Sequence, residues 1–143
     1  IAKALGGKIT LNPSMEIGWH ACSREDDLAA KDWLGDMSDP FIMFHWHKET
    51  VSLPENAQLL FSSQHCRNQA FTIGSNILGM QCHVEVTEPL LRDWIDHWRE
   101  DLGESSRSVQ DYYTIAKYIK QNVAQLNRVA DQLYGRWVST LAL

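Results

Sequence analysis

Short apolar runs and alternating runs fill the chain from residue 8 to residue 86, and turn-forming residues separate them. This spacing is typical of β-strands. It predicts strands at 8–11, 16–21, 42–47, 59–62, 70–73 and 78–83. Because Gly74-Ser75-Asn76 is the only interruption between the last two, we expect these strands to form an antiparallel hairpin.

Helical spacing appears mainly after Val86. Thr87 is a candidate N-cap, apolar residues follow at intervals of three and four, and Gly103 is the expected end of the helix. A second apolar stripe, from Val109 to Trp137, predicts a long helix with Ser108 and Asp111 as its capping pair, which Gly135 could bend. Two shorter helical segments are predicted at 1–7, before a Gly pair, and at 26–33.

Composition narrows the class of protein. The 143 residues hold 13 Lys and Arg against 18 Asp and Glu, a net charge of −5, with no basic block. Nucleic acid is therefore not an expected partner. No run approaches the roughly 20 apolar residues that cross a bilayer, and we expect no membrane partner. The three cysteines, Cys22, Cys66 and Cys82, include no CxxC pair, so we expect reduced thiols in a cytoplasmic protein of one soluble domain.

Two short segments carry most of the candidate chemistry, Phe44-His45-Trp46-His47 and Gln81-Cys82-His83-Val84-Glu85. Residues two apart on a strand share a face, so His45 is expected beside His47, and His83 beside Glu85. A carboxylate next to a histidine fixes the imidazole tautomer and stabilises the imidazolium, as a general base requires. The second segment therefore indicates a base and its orienting acid.

Five motifs in order resemble the class I glutamine amidotransferases, in particular the stand-alone proteins similar to the amidotransferase domain of GMP synthase. They are Glu16-Ile-Gly-Trp19, Phe44-His-Trp-His47, Leu53-Pro54, Cys66-Arg-Asn-Gln-Ala-Phe71 and Gly79-Met-Gln-Cys-His-Val-Glu-Val-Thr87. The resemblance covers about residues 1–100. It implies an α/β fold, the three-layer α/β/α, flavodoxin-like fold of that family, incomplete at its N-terminus and with extra C-terminal helices. Residues 1–87 are then the C-terminal part of the amidotransferase domain, and residues 88–143 a helical segment packed on it.

The resemblance also implies a glutaminase activity with a Cys-His-Glu triad and no cofactor. His83 is the implied base and Glu85 its carboxylate, although this chain has Val84 and Cys82 where the family usually has Pro and Phe. The family's nucleophile lies in a Gly-x-Cys-x-Gly-x-Gln elbow, which is expected a few residues before Ile1. The 143 residues alone are therefore expected to be inactive.

Other residues admit more than one interpretation. By resemblance, His45 or His47 lines the cleft for glutamine or a γ-glutamyl amide. Alternatively, both join His83 and Glu85 in a metal site, or one histidine is buried and the other exposed. Glu16 is a candidate brace for the active-site loop and Gln69 mainly a structural residue, while the three cysteines are expected to be small buried hydrophobes.

The role of the whole domain also leaves alternatives open. Ammonia could pass to a separate synthetase subunit or be released by simple hydrolysis. The C-terminal helices resemble a lid or a homo-oligomer surface. A non-catalytic interaction module with an amidotransferase-like fold is the competing hypothesis.

Overall fold

The computed structural model describes residues 1–103 and 105–141, in which five antiparallel strands form one sheet of order β2-β1-β3-β4-β5. The strands are β1 (Ile9–Arg24), β2 (Phe41–Val51), β3 (Gln58–Ser63), β4 (Ala70–Ile73) and β5 (Ile77–Met80). The hairpin of β4 and β5 is confirmed, with Ile73 opposite Ile77.

Three α-helices accompany the sheet: α1 (Leu28–Leu34), α2 (Glu88–His97) and α3 (Tyr112–Thr140). Each begins at a polar residue whose side chain accepts a hydrogen bond from a backbone N–H three residues on, namely Asp27, Thr87 and Asp111. Such caps satisfy donors that have no partner within the helix. Two 3₁₀ turns, Lys3–Leu5 and Arg99–Leu102, complete the described elements.

Several predicted boundaries were wrong. The segments 8–11 and 16–21 belong to one strand, β1, because its pairing with β2 resumes after a register irregularity between Leu11 and Glu16. Strand β5 ends at Met80, so residue 83 lies beyond it. Asp111 alone caps α3, and this helix continues through Gly135. Residues 1–7 hold only a 3₁₀ turn, closed by Gly6 in the left-handed conformation.

The hydrophobic core joins the long helix to the first two strands. Trp19 on β1 packs edge to face against Phe44 on β2, with ring centroids 4.9 Å apart, and its indole N–H donates to the carbonyl of Ile115 on α3 at 3.2 Å. Four residues of the predicted apolar stripe of α3 are buried in the same core, namely Ile119, Val123, Leu126 and Leu133. Ile115 and Val129, which the predicted stripe did not include, are buried with them, whereas Trp137 is partly exposed. The expected α/β class is thus confirmed. Among the described helices, none is both long and apolar enough to cross a bilayer.

Gly18 lets the segment before α3 lie directly on β1. Its φ of +111° is a conformation that L side chains rarely adopt, and a Cβ there would be 2.5 Å from the side-chain oxygen of Gln110. The Gln110 side chain accepts from the backbone N–H of Trp19 at 2.9 Å and donates to its carbonyl at 2.8 Å. The Gly in the Glu-Ile-Gly-Trp motif therefore serves the docking of this segment.

We predict that Gly18→Ala lowers the free energy of unfolding by about 2 kcal/mol, since strained backbone and overpacking each cost about 1–3 kcal/mol. Urea denaturation followed by far-ultraviolet circular dichroism measures this change. An unchanged midpoint would contradict the close approach of Gln110.

Gly135→Ala is the matched control. Gly135 lies within α3 and a Cβ there meets nothing within 4 Å. Because Gly in a helix is destabilising by roughly 0.5–1 kcal/mol relative to Ala, this substitution should raise stability slightly.

Candidate active site

The segment that follows β5 has the side-chain alternation of a strand although it is not one. Cys82, Val84 and Val86 are buried, whereas His83 and Glu85 point outwards and are partly or largely exposed. The backbone N–H of His83 donates to the carbonyl of Phe44 on β2 at 2.9 Å. This bond and the buried residues on either side fix the position of His83. The predicted strand was wrong here, but the predicted shared face of His83 and Glu85 follows from the alternation.

The structure brings His83 and Glu85 together. His83 Nδ1 lies 2.7 Å from Glu85 Oε1, the length of a charge-assisted hydrogen bond. The bond from His83 lowers the pKa of the Glu85 carboxyl, against the opposing effect of burial, so Glu85 is ionised near neutral pH. With Nδ1–H donated to a carboxylate, Nε2 carries the free lone pair of the neutral ring. This is the arrangement that a general base needs.

Aromatic side chains also contact the His83 ring. The ring of Trp94 on α2 stands nearly perpendicular to that of His83, with centroids 5.1 Å apart and an interplanar angle of 87°. Trp94 in turn contacts Trp46 and Trp98 at centroid distances of 6.4 and 5.5 Å. Sequence reasoning assigned Trp94 to core packing and missed its contact with His83, because helical spacing does not show which strand a helix faces.

His83 and Glu85 line a surface cleft whose other wall includes Ile1 and two aromatic residues of α3, Tyr134 and Trp137. The remaining lining residues are Leu78, Met80, Gln81 and Cys82. The first residue of the chain thus borders the same cleft as the histidine and carboxylate pair.

A second cluster of polar side chains lies within the fold and contains His45 and His47. His47 Nε2 is 3.0 Å from Glu16 Oε2, and His45 Nδ1 is 3.7 Å from the same oxygen. Gln69 donates to Glu16 Oε2 at 2.6 Å and to the hydroxyl of Ser63 at 3.0 Å. The side chains of Glu16 and His45 are fully buried and that of His47 is 10% exposed.

The buried cluster holds an anion beside a neutral imidazole. Burial by itself would raise the pKa of the Glu16 carboxyl, but its hydrogen bonds, above all that from His47, outweigh burial and lower it. Burial lowers the pKa of His45, so its ring is neutral near pH 7. The sequence singled out Glu16 as a brace, and its partners are His47 and Gln69.

The predicted four-residue metal set was wrong in its membership. Among the described residues, the histidine, cysteine and acidic groups close enough to share one ion are Glu16, His45 and His47. His83 and Glu85 bond to each other instead. That His45 or His47 borders the substrate cleft stays a prediction.

The three cysteines are buried free thiols: Cys22, Cys66 and Cys82 are 0%, 2% and 4% exposed. Burial raises the pKa of the Cys66 and Cys82 thiols, so both are protonated and weak nucleophiles at neutral pH. None of the three has the exposed, activated setting that covalent catalysis requires.

We predict that Glu85→Ala shifts neutral His83 away from the Nδ1–H tautomer, because the carboxylate that accepts this proton is lost. Long-range ¹H–¹⁵N NMR spectra of the imidazole measure the tautomer ratio. Glu88→Ala is the control, since Glu88 pairs with Arg92. An unchanged ratio in Glu85→Ala would show that the bond does not set the tautomer.

We also predict that a maleimide labels no cysteine of the native protein during the time in which it labels all three after denaturation. Ser38→Cys places a thiol at an exposed position and should add one rapidly labelled site. Fast labelling of the native protein without this substitution would contradict the burial of the thiols, and mass spectrometry counts the labels.

A sequence relative of this chain is named as an amidotransferase-like protein. A protein of Salmonella typhimurium named as a glutamine amidotransferase-like protein, YfeJ, is 25% identical over 127 residues, which are 89% of this chain and 53% of that protein. No family model matches the chain.

Solved structures share the fold. A glutamine amidotransferase from Methylobacillus flagellatus matches with a TM-score of 0.91 and 35% identity over 96% of this chain and 57% of that one. One from Thermotoga maritima matches with a TM-score of 0.80 and 26% identity over 96% and 57%.

A more distant protein from Thermoplasma acidophilum, named as a candidate subunit of GMP synthase, shares the fold with a TM-score of 0.53 and 22% identity over 72% and 55% of the two chains. The chain spans a little over half the length of the relatives it matches. Within that span, it has the fold of the glutamine amidotransferases and resembles that family in sequence, as its ordered motifs predict.

Proposed function

We propose that this chain supplies the base and the orienting acid of a class I glutamine amidotransferase that hydrolyses the side-chain amide of glutamine. His83 is the base, Glu85 orients it, and a cysteine that precedes Ile1 in the intact protein is the nucleophile. The observation that carries the proposal is the 2.7 Å contact between His83 and Glu85 at the cleft that Ile1 also lines. A cysteine a few residues before Ile1 would enter this cleft beside His83.

The proposed reaction has two stages. In the first, Nε2 of His83 takes the thiol proton, the thiolate sulfur bonds to the amide carbon, and the proton passes to the nitrogen as the carbon–nitrogen bond breaks and ammonia leaves. In the second, His83 removes a proton from water, the oxygen attacks the thioester carbon, and the sulfur leaves with that proton as glutamate is released. Backbone N–H groups ahead of Ile1 would stabilise the oxyanion.

Glu85 acts through His83. Its negative charge favours the imidazolium that forms after each proton transfer, and its hydrogen bond holds Nε2 towards the cleft. Trp94 limits the rotation of the ring from the other side. Both contacts position the base before glutamine binds, which supports a catalytic role for His83.

The acceptor of ammonia is the second part of the proposal. The fold match to a protein named for GMP synthase favours a separate synthetase subunit that receives ammonia from the cleft.

We place the protein in the cytoplasm, where its free thiols stay reduced. A homo-oligomer would use the exposed surface of α2 and α3.

We predict that His83→Ala, made in the protein that includes the segment encoded before Ile1, lowers the rate of glutamate release by at least about 10²–10⁴-fold, the usual contribution of general acid–base catalysis. Glu85→Ala should lower it less, because the ring can recover its orientation in part. A coupled assay with glutamate dehydrogenase measures both rates.

Glu88→Ala, at the first residue of α2 and paired with Arg92, is the control and should keep the rate of the unaltered protein. If the longer protein hydrolyses glutamine equally well without His83, the base has been assigned wrongly. If it hydrolyses no glutamine and bears no Gly-x-Cys-x-Gly-x-Gln elbow, the chain is a non-catalytic module with this fold.

A further inference from the structure

The proton transfers proposed above do not use the buried cluster of Glu16, His45 and His47. Antiparallel pairing of β1 with β2 creates it, since Glu16 lies opposite His47 and Gly18 lies opposite His45 in the register. With a Gly opposite it, His45 meets no side chain from that position of β1. The side chains of Glu16, His45 and His47 therefore lie close together on one face of the paired strands.

Their separations suit ligands of one metal ion. The Glu16 oxygen Oε2 is 3.0 Å from His47 Nε2 and 3.7 Å from His45 Nδ1, and all three ligand atoms lie within 4.8 Å of one another. Two atoms that each lie about 2.1 Å from a common ion are about 3.0–3.4 Å apart, for octahedral and tetrahedral geometry respectively. The pair of Glu16 and His47 already has this separation, and the pair of Glu16 and His45 exceeds it by about 0.3–0.7 Å.

Three buried polar atoms of the cluster lack partners. Within residues 1–103 and 105–141, no hydrogen bond reaches Glu16 Oε1, His45 Nδ1 or Gln69 Oε1. An unpaired buried polar atom costs about 1–3 kcal/mol, so native proteins rarely keep one without a role, an ordered water or a bound ion. Two of the three atoms belong to the candidate ligands, and the third belongs to the side chain that bonds to Glu16.

The orientation of the two imidazoles also favours an ion. His47 Nδ1 lies near two neighbours that orient the ring, the carbonyl of Glu49 at 2.9 Å and the side-chain nitrogen of Gln81 at 3.2 Å. These contacts direct Nε2 of His47 to Glu16 Oε2 at 3.0 Å. On His45, Nε2 is directed to the sulfur of Cys22 at 3.7 Å, which leaves Nδ1 facing Glu16. Outer hydrogen bonds of this kind orient metal-binding histidines.

The part of the chain that the structure describes provides Glu16 with no Lys or Arg partner. Among the described residues, no Lys or Arg nitrogen lies within 4 Å of its carboxylate, and the nearby ionisable groups are His45 and His47. A buried carboxylate without a positive partner is strongly unfavourable. A metal ion between the three groups would supply that positive partner.

We propose that Glu16, His45 and His47 bind a divalent first-row transition ion, of the zinc, iron or cobalt type, at the junction of β1 and β2. Two imidazoles and one carboxylate are a ligand set that these ions favour. An ion would reach them past His47, which borders a surface cleft with Trp46, Lys48 and Gln81. The near-complete burial of the ligands gives the ion a structural role, joining the two strands.

The test begins with the unaltered protein, stripped with a chelator and dialysed. We expect it to bind one equivalent of Zn²⁺ in isothermal titration, with a rise in its unfolding temperature because the folded state alone holds all three ligands. Co²⁺ should give visible absorption bands at the same stoichiometry. The ¹⁵N signals of His45 Nδ1 and His47 Nε2 should shift on addition of Zn²⁺.

Glu16→Gln keeps the shape of the side chain and removes its charge. Loss of a group that only hydrogen-bonds to a metal ligand weakens metal binding by about 10–100-fold. Because Glu16 is proposed as a ligand itself, this substitution should weaken Zn²⁺ binding by more than that. His47→Gln, at a side chain that reaches the surface, is the second variant, so that one of the two remains informative if the other fails to fold. His97→Gln, on the exposed side of α2, is the control and should bind Zn²⁺ as before.

Three results would overturn the proposal. One is an unaltered protein that binds no Zn²⁺. Another is loss of Zn²⁺ binding in His83→Ala. The third is an intense near-ultraviolet thiolate band with Co²⁺, which would place a cysteine among the ligands. None of these measurements depends on glutamine hydrolysis, so the outcome is separate from that of the proposed activity.

Discussion

The antiparallel pairing of β1 with β2 is the constraint on which both clusters of the molecule depend. In this register, residues that alternate along the two strands point to opposite faces of the sheet. Ile17, Trp19 and Phe44 enter the hydrophobic core that α3 closes, while Glu16, His45 and His47 meet as a polar group between the same two strands. A shift of one residue would exchange these faces and bury charge in the apolar core. The apolar packing of α3 thus fixes where the histidines lie.

The second strand also positions the proposed catalytic pair. The segment after β5 bonds through the backbone of His83 to the carbonyl of Phe44, whose side chain lies in the core. His83 and His45 are therefore held by neighbouring parts of one strand, yet their partners differ. His83 bonds to an exposed carboxylate at a cleft, where a proton can be exchanged with a substrate, and His45 faces a carboxylate that solvent does not reach.

This contrast explains why two histidine and carboxylate pairs in one chain suit different chemistry. A general base must bind and release protons during turnover, which requires access to a substrate and a ring that can be charged. Burial disfavours the charged form of His45, so that ring suits a permanent ligand or a fixed structural partner. The chain resembles an amidotransferase-like protein in sequence, and solved structures of glutamine amidotransferases share its fold.

Local sequence patterns determined the elements and the proposed catalytic pair. Periodicity in the sequence reveals contacts between residues that are close in the chain. Such contacts form the N-caps Thr87 and Asp111, the hairpin at Gly74-Ser75-Asn76 and the pair of His83 and Glu85. Only the tertiary structure decided that Gln110 fits over Gly18, that Trp94 faces His83, and that Glu16 joins His45 and His47 in place of His83. These contacts join residues that lie 11 to 92 positions apart in the chain. They form through the register of the strands and the docking of the helices, both of which depend on the packing of the whole core.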